Sequence, residues 1–185
     1  MVTENGRKNK ARTGIPGLDE ILGGGLTAGH VFLLEGNPGT GKTTIALRFL
    51  LEGASAGERC LYITLSETEQ ELRDGAASHG WSIDDKFEIF ELAPMESMLD
   101  ADQQQSLLYA SELELGETTT SLFRAFERVK PNRVVLDSLS EIRLLAQSSL
   151  RYRRQILAMQ HYFARHGATV LLLDDPATEA SDKSA

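Results

Sequence analysis

Cysteine is all but missing. Cys60 stands alone among 185 residues, which excludes an internal disulfide and a cysteine-rich metal site. The four histidines, His30, His79, His161 and His166, fall at no metal-ligand spacing. Long hydrophobic runs are lacking too: stretches such as Thr169–Leu173 fall far short of the roughly 20 residues that a bilayer-spanning helix needs. The opening MVTENGRKNKAR has no apolar stretch of the kind a secretory signal requires. These absences predict a cytoplasmic chain with no membrane partner. Basic residues are outnumbered, 19 Lys and Arg against 27 Asp and Glu for a net charge of −8, which speaks against broad phosphate-backbone binding and against nucleic acid as the main partner. The tip is the exception, since Arg7, Lys8, Lys10 and Arg12 face only Glu4, a pattern common in short solvated tails.

What is present suits one globular domain, with 41% hydrophobic and 25% charged residues supplying a sizeable core. Residues 1–12 read as a flexible basic lead, 13–175 as the folded domain and 176–185 as a disordered tail. Continuous apolar runs bounded by turn residues predict buried strands at Val31–Leu34, Cys60–Leu65, Val134–Leu136 and Thr169–Leu173, and Phe87–Leu92 alternates as a strand does. Helical spacing predicts short Leu18–Leu22, then Lys42–Ala54, Glu69–His79, Glu117–Val129 and Tyr152–Ala164. Residues 93–116, rich in Met, Gln, Asp and Glu, read as a long, partly mobile excursion. Strands alternating with helices predict an α/β fold of three layers, a mostly parallel sheet covered on both faces.

Three features carry chemistry. Gly36–Thr43 reads GNPGTGKT, the phosphate-loop pattern, and lies between an apolar strand and a helix as that pattern requires. Gly36, Asn37, Pro38, Gly39, Thr40 and Gly41 would turn backbone N–H groups toward an anion at a helix N-terminus. Lys42 would reach the β- and γ-phosphates and the Thr43 hydroxyl would ligate Mg2+, while Thr44 either caps the helix or holds the α-phosphate. Arg133–Asp137 is an apolar strand ending in an acid, which makes Asp137 the candidate Mg2+ residue. Glu67 follows the strand Cys60–Leu65, on the side where parallel sheets bind ligands, and is a candidate to orient or deprotonate an attacking water. Its competing role is a helix N-terminal acid within Ser66–Glu69. Cys60 reads as core, and Arg151–Arg154 as the start of a helix, either a solvated face or a contact to a neighbour's nucleotide.

At this point the chain resembles the KaiC-like branch of the RecA-type ATPases. The resemblance rests on Thr13–Leu26 (TGIPGLDEILGGGL), Gly36–Thr43, Leu61–Thr68 (LYITLSET), Ser111–Glu117 (SELELGE), Val134–Glu141 (VVLDSLSE) and Arg151–Gln155, and spans roughly residues 12–175. It implies a RecA-like core, ATP with Mg2+, slow hydrolysis, and assembly of like subunits into rings, commonly hexamers, with nucleotide between subunits. It places Lys42 and Thr43 on phosphate and metal, Asp137 on metal and Glu67 near the attacking water. Clock-type members carry adjacent glutamates where this chain has Ser66-Glu67, which leaves open which carboxylate is the base. Such domains also continue past Thr169–Leu173, so the resemblance implies a domain incomplete on its C-terminal side and gives no support to autokinase activity.

The reading is therefore an ATP-binding protein that hydrolyses ATP slowly and couples nucleotide state to assembly or to an unidentified signalling partner. Its alternatives are a nucleotide-binding interaction module without turnover, a DNA repair ATPase of the RadA or RecA kind, and a small-molecule kinase whose lid would come from residues 93–116.

Overall fold

The apolar runs at Cys60–Leu65, Val134–Leu136 and Thr169–Leu173 resolve into the buried inner strands of one parallel sheet. Val31–Leu34, expected to be buried as well, forms an edge strand with no fully buried residue, because only one of its sides is paired among the described residues. The computed structural model describes residues 9–92 and 107–176, with backbone alone for 107–114. In chain order the elements are β1 (Lys10–Ala11), α1 (Pro16–Ile21), β2 (Leu26–Thr27), β3 (Val31–Glu35), α2 (Lys42–Ser55), β4 (Cys60–Thr64), α3 (Glu69–Ser78), β5 (Phe87–Glu91), α4 (Leu107–Val129), β6 (Arg133–Asp137), α5 (Leu139–Ala146), α6 (Ser149–His166) and β7 (Thr169–Asp174). Five strands pair in the order β3-β7-β6-β4-β5, all parallel, and β1 pairs antiparallel with β2.

Side chains alternate across each strand, so the sheet feeds two cores. On one face Tyr62, Val135 and Leu171 meet Leu47, Phe49 and Leu50 of α2 and Leu72 of α3. On the other, Leu61, Ile63, Leu136 and Leu172 meet Leu122 and Phe126 of α4, Ile142 of α5 and Met159 and Phe163 of α6. This is the three-layer α/β/α sandwich expected from the sequence. No helix among the described residues is long and apolar enough to cross a membrane.

Four local expectations change. Lys10 and Ala11, assigned to the flexible lead, form β1 against Thr27 and Leu26. Helix α4 begins at Leu107 and passes through Gly116, which the sequence reading took as a boundary. Helix α5 had no counterpart in that reading, and α6 starts at Ser149, capped by the Ser148 side chain on Arg151 N–H. Most of the 93–116 excursion, at 93–106, lies outside the described residues, as do 1–8 of the lead and 177–185 of the tail.

The GGG stretch is explained by close approach. Gly25 has φ +124°, and a Cβ there would sit 2.4 Å from the Ala11 carbonyl oxygen, so only glycine lets β2 lie against β1. The turn before α1 closes on Asp19, which is buried and accepts from Thr13 N (2.7 Å), Thr13 Oγ1 (2.8 Å) and Gly14 N (3.2 Å). Arg48 of α2 donates to the Gly14 carbonyl at 2.9 Å, docking that turn on the helix that carries the phosphate-loop pattern.

Candidate functional site

Parallel register brings distant residues to one edge of the sheet. Thr64 pairs with Asp137 and Glu35 with Asp174, so β3, β4, β6 and β7 all end at the same level. The segments that follow them carry Gly36–Thr43, Glu67, Ser138 and Asp175. Ligands of open parallel sheets bind beyond these carboxyl ends.

The loop after β3 has the form its sequence requires. Gly39 and Gly41 hold φ of +81° and +89°, and a Cβ on Gly36 would strike Thr40 Oγ1 at 2.7 Å. Gly41 is the N-cap of α2 and no side chain caps the helix. Thr44 therefore does not cap, which removes one of its two expected roles. The first-turn N–H groups are left for something else to accept from. Lys42 folds back over the loop, donating to the Gly36 carbonyl at 2.7 Å, the Asn37 carbonyl at 3.2 Å and Asp175 Oδ1 at 2.7 Å.

Asp137 ends β6 as expected and is buried. Tyr62, fully buried on the adjacent strand, donates its hydroxyl to Asp137 Oδ2 at 2.5 Å and also interacts with the Thr43 hydroxyl. Burial pushes the Asp137 carboxyl above its usual range, and nearby Glu141 and Asp175 add to the rise against the opposing Tyr62 bond and Lys42 charge. The peptide joining Asp137 to Ser138 is cis. Ser138 Oγ donates to Glu141 at 2.6 Å and caps α5 through Ser140 N–H. Asp174 at the end of β7 is paired with Arg143 and accepts from Ser140 Oγ at 3.3 Å.

Glu67 sits after β4, where Thr64 Oγ1 accepts from its N–H (2.9 Å) and donates to its carbonyl (2.7 Å). Its competing role as a helix N-terminal acid does not hold: Thr68 is the N-cap of α3, closes a capping box with Glu71, and the first-turn acids are Glu69 and Glu71. Glu67 precedes the cap, and its Oε2 is buried without a hydrogen-bond partner. Burial first, then the charges of Asp137 and Glu71, raise its pKa. Buried polar atoms are nearly always hydrogen-bonded, so this unpaired carboxylate oxygen stands out.

Sequence reasoning thus found the loop, Asp137 and Glu67, which the fold brings together. It missed Tyr62, Ser140, Arg143, Asp174 and Asp175. A signal existed for the last two, an acidic pair ending an apolar strand as Asp137 ends β6. Cys60 is core, its thiol pushed to about 12 by burial. His161 and His166 lie on α6, and no metal-holding cluster of His, Cys, Asp and Glu occurs among the described residues.

The donor set fits a nucleotide phosphate with Mg2+. The loop offers uncapped N–H groups, open glycine faces and an ammonium, and a hydroxyl and a buried carboxylate flank them.

The chain is similar to known proteins of one family. The family model described as "ATPase: KaiC" matches residues 11–185. A UPF0273 protein of Pyrococcus horikoshii is 31% identical over 161 residues, which is 80% of this chain and 64% of that protein. Circadian clock protein KaiC3 of Synechocystis sp. is 29% identical over 177 residues, 95% of this chain and 34% of the relative. The crystal structure of a KaiC-like protein from P. horikoshii matches with TM-score 0.73 at 27% identity, covering 91% of this chain and 71% of that one. The chain spans just under two thirds of the archaeal relative and about a third of the clock protein. Since the family match takes in every strand of the five-stranded sheet and everything gathered at its edge, the chain belongs to the KaiC ATPase family.

Proposed function

We propose that the chain binds ATP at Gly36–Thr44 and hydrolyses it slowly with Mg2+. The observation that carries this is the convergence at one sheet edge of an uncapped glycine loop, Lys42, Asp137 and the orphaned Glu67 carboxylate. The N–H groups of the loop and of the first turn of α2 would cradle the phosphates, and Lys42 would hold the β- and γ-phosphate oxygens. Thr43 and Asp137 would hold Mg2+, which when bound neutralises charge on the phosphates. Tyr62 keeps Asp137 in place by donating to one of its oxygens, and the other would take the metal. Glu67 orients water and takes its proton; the desolvation that raises its pKa also makes its ionised form the stronger base.

The nucleotide state would be read out by self-assembly, in rings as the family resemblance implies, or by a signalling partner. Supporting this, β3 pairs on only one side among the described residues, and Leu33 on it is 57% exposed. Unpaired strand edges and exposed apolar residues favour association.

The test is Mg2+-dependent phosphate release from ATP by the purified chain beside Lys42→Ala. Turnover that the substitution abolishes supports the proposal. ATP that raises the melting temperature without any turnover would favour a binding module, and turnover unaffected by Lys42→Ala would contradict the assignment.

A further inference from the structure

We propose that Asp175 is a competing anion for Lys42, one that must be displaced before nucleotide phosphate can engage the loop and that therefore sets nucleotide affinity. The inference rests on the nucleotide reading of the loop given above.

A lysine ammonium has three donor hydrogens. In this structure all three have acceptors: the Gly36 carbonyl, the Asn37 carbonyl and Asp175 Oδ1. The two carbonyls belong to the loop itself. Asp175 follows β7, 133 residues away, and brings a full negative charge to 2.7 Å. A phosphate oxygen arriving at Lys42 must take this acceptor's place, and it arrives as a second anion beside the first.

The topology places Asp175 beside the loop. Strand β7 lies between β3 and β6 in the sheet, so the residue after it emerges between the loop and Asp137. The neighbouring Asp174 serves a different end. It is buried and anchored by Arg143, so it fixes the end of β7. Asp175 is 39% exposed at its side chain, and among the described residues its one hydrogen bond besides that from Lys42 is a 3.5 Å contact from Ser140 Oγ. It is thus held at Lys42 chiefly by charge, and a competing anion can exchange it. Its charge also opposes ionisation of Asp137, so its displacement eases the charge burden on the metal-side carboxylate.

Removing a competitor should tighten binding, whereas removing a structural residue should weaken it. Asp175→Asn is expected to bind MgATP and MgADP roughly three- to tenfold tighter than the wild-type chain at low salt, the scale of one partly exposed ion pair. That advantage should shrink as ionic strength rises and screens the pair. Asp175→Glu keeps the charge and is expected to stay within about twofold of wild type. Asp175→Ser repeats the neutral substitution should the asparagine variant not fold. Isothermal calorimetry on the full chain reads the affinities, with Lys42→Ala as control. Unchanged or weaker binding by the neutral variants, with Lys42→Ala still losing nucleotide, overturns the role of Asp175 and leaves the loop assignment standing. Binding retained by Lys42→Ala overturns both.

Discussion

Asp137 and Glu67 are carboxylates placed where their charge is costly, a placement that the proposed cation and water would offset. Both pKa values are raised, chiefly by burial, so the folded chain keeps protons that the unfolded chain has already released. The sign follows from linkage. Their contribution to stability is fully present below the ordinary carboxylate range and is lost as pH climbs through the raised folded values. Neutralising Asp137 should therefore stabilise the nucleotide-free protein while it removes the proposed metal ligand. Asp137→Asn is expected to raise the melting temperature at pH 7 by roughly 2–4 °C, the equivalent of about 1 kcal/mol in a chain of this length. The gain should vanish at about pH 3–4, where the wild-type group is itself protonated. Thermal melts across pH check this, and a fall in melting temperature at pH 7 would show that Asp137 is stabilising in its charged form. Tyr62 belongs to the same economy of charge. A hydroxyl buried among Phe49, Leu50 and Val135 has to find a partner, and the partner is Asp137.

At the scale of elements, the TGIPGLD stretch has a structural task. Asp19 accepts three hydrogen bonds that close the turn ahead of α1, and these bonds outweigh its own desolvation, holding its pKa below the usual carboxylate value. Asp19→Ala leaves two N–H groups and a hydroxyl buried or half-buried without an acceptor. It is expected to cost about 2–3 kcal/mol in urea denaturation, the range for hydrogen bonds to a charged group. A loss below about 0.5 kcal/mol, the usual scale of a surface change, would assign the motif another role. Other elements were legible to different degrees. The buried strands could be read because each is a continuous apolar run, and the phosphate loop and Asp137 because their chemistry is local in sequence. Gly116 misled because an interior glycine costs about 1 kcal/mol in helix propensity, and packing of Leu115, Leu122 and Phe126 outweighs it. Helix α5 is short, and only its Ser138 cap and the spacing of Leu139, Ile142 and Ala146 mark it. Tyr62 could not be read as a site residue, and the acidic pair ending β7 gave no sign of its partners, because the register of β4 with β6 and of β7 with β3 is what brings Tyr62 to Asp137 and Asp175 to Lys42.

Over the whole molecule, one parallel sheet with its strand ends at a common level gathers four separate segments into one candidate site. The two cores fix that sheet from both faces, so the geometry at the edge is inherited from packing far below it. The outer edge, β3 with its exposed Leu33, is where a further strand or another subunit would add. The central claim is that the edge forms a hydrolytic site, with Glu67 acting on water and the loop holding nucleotide. Comparing MgATP affinity and steady-state phosphate release in Glu67→Gln and the wild-type chain tests it most directly. Glutamine keeps the size of the side chain and removes the base, so affinity should stay within about threefold while turnover falls by roughly 10^2-fold or more, the range for loss of a general base. Turnover that survives in Glu67→Gln would contradict it.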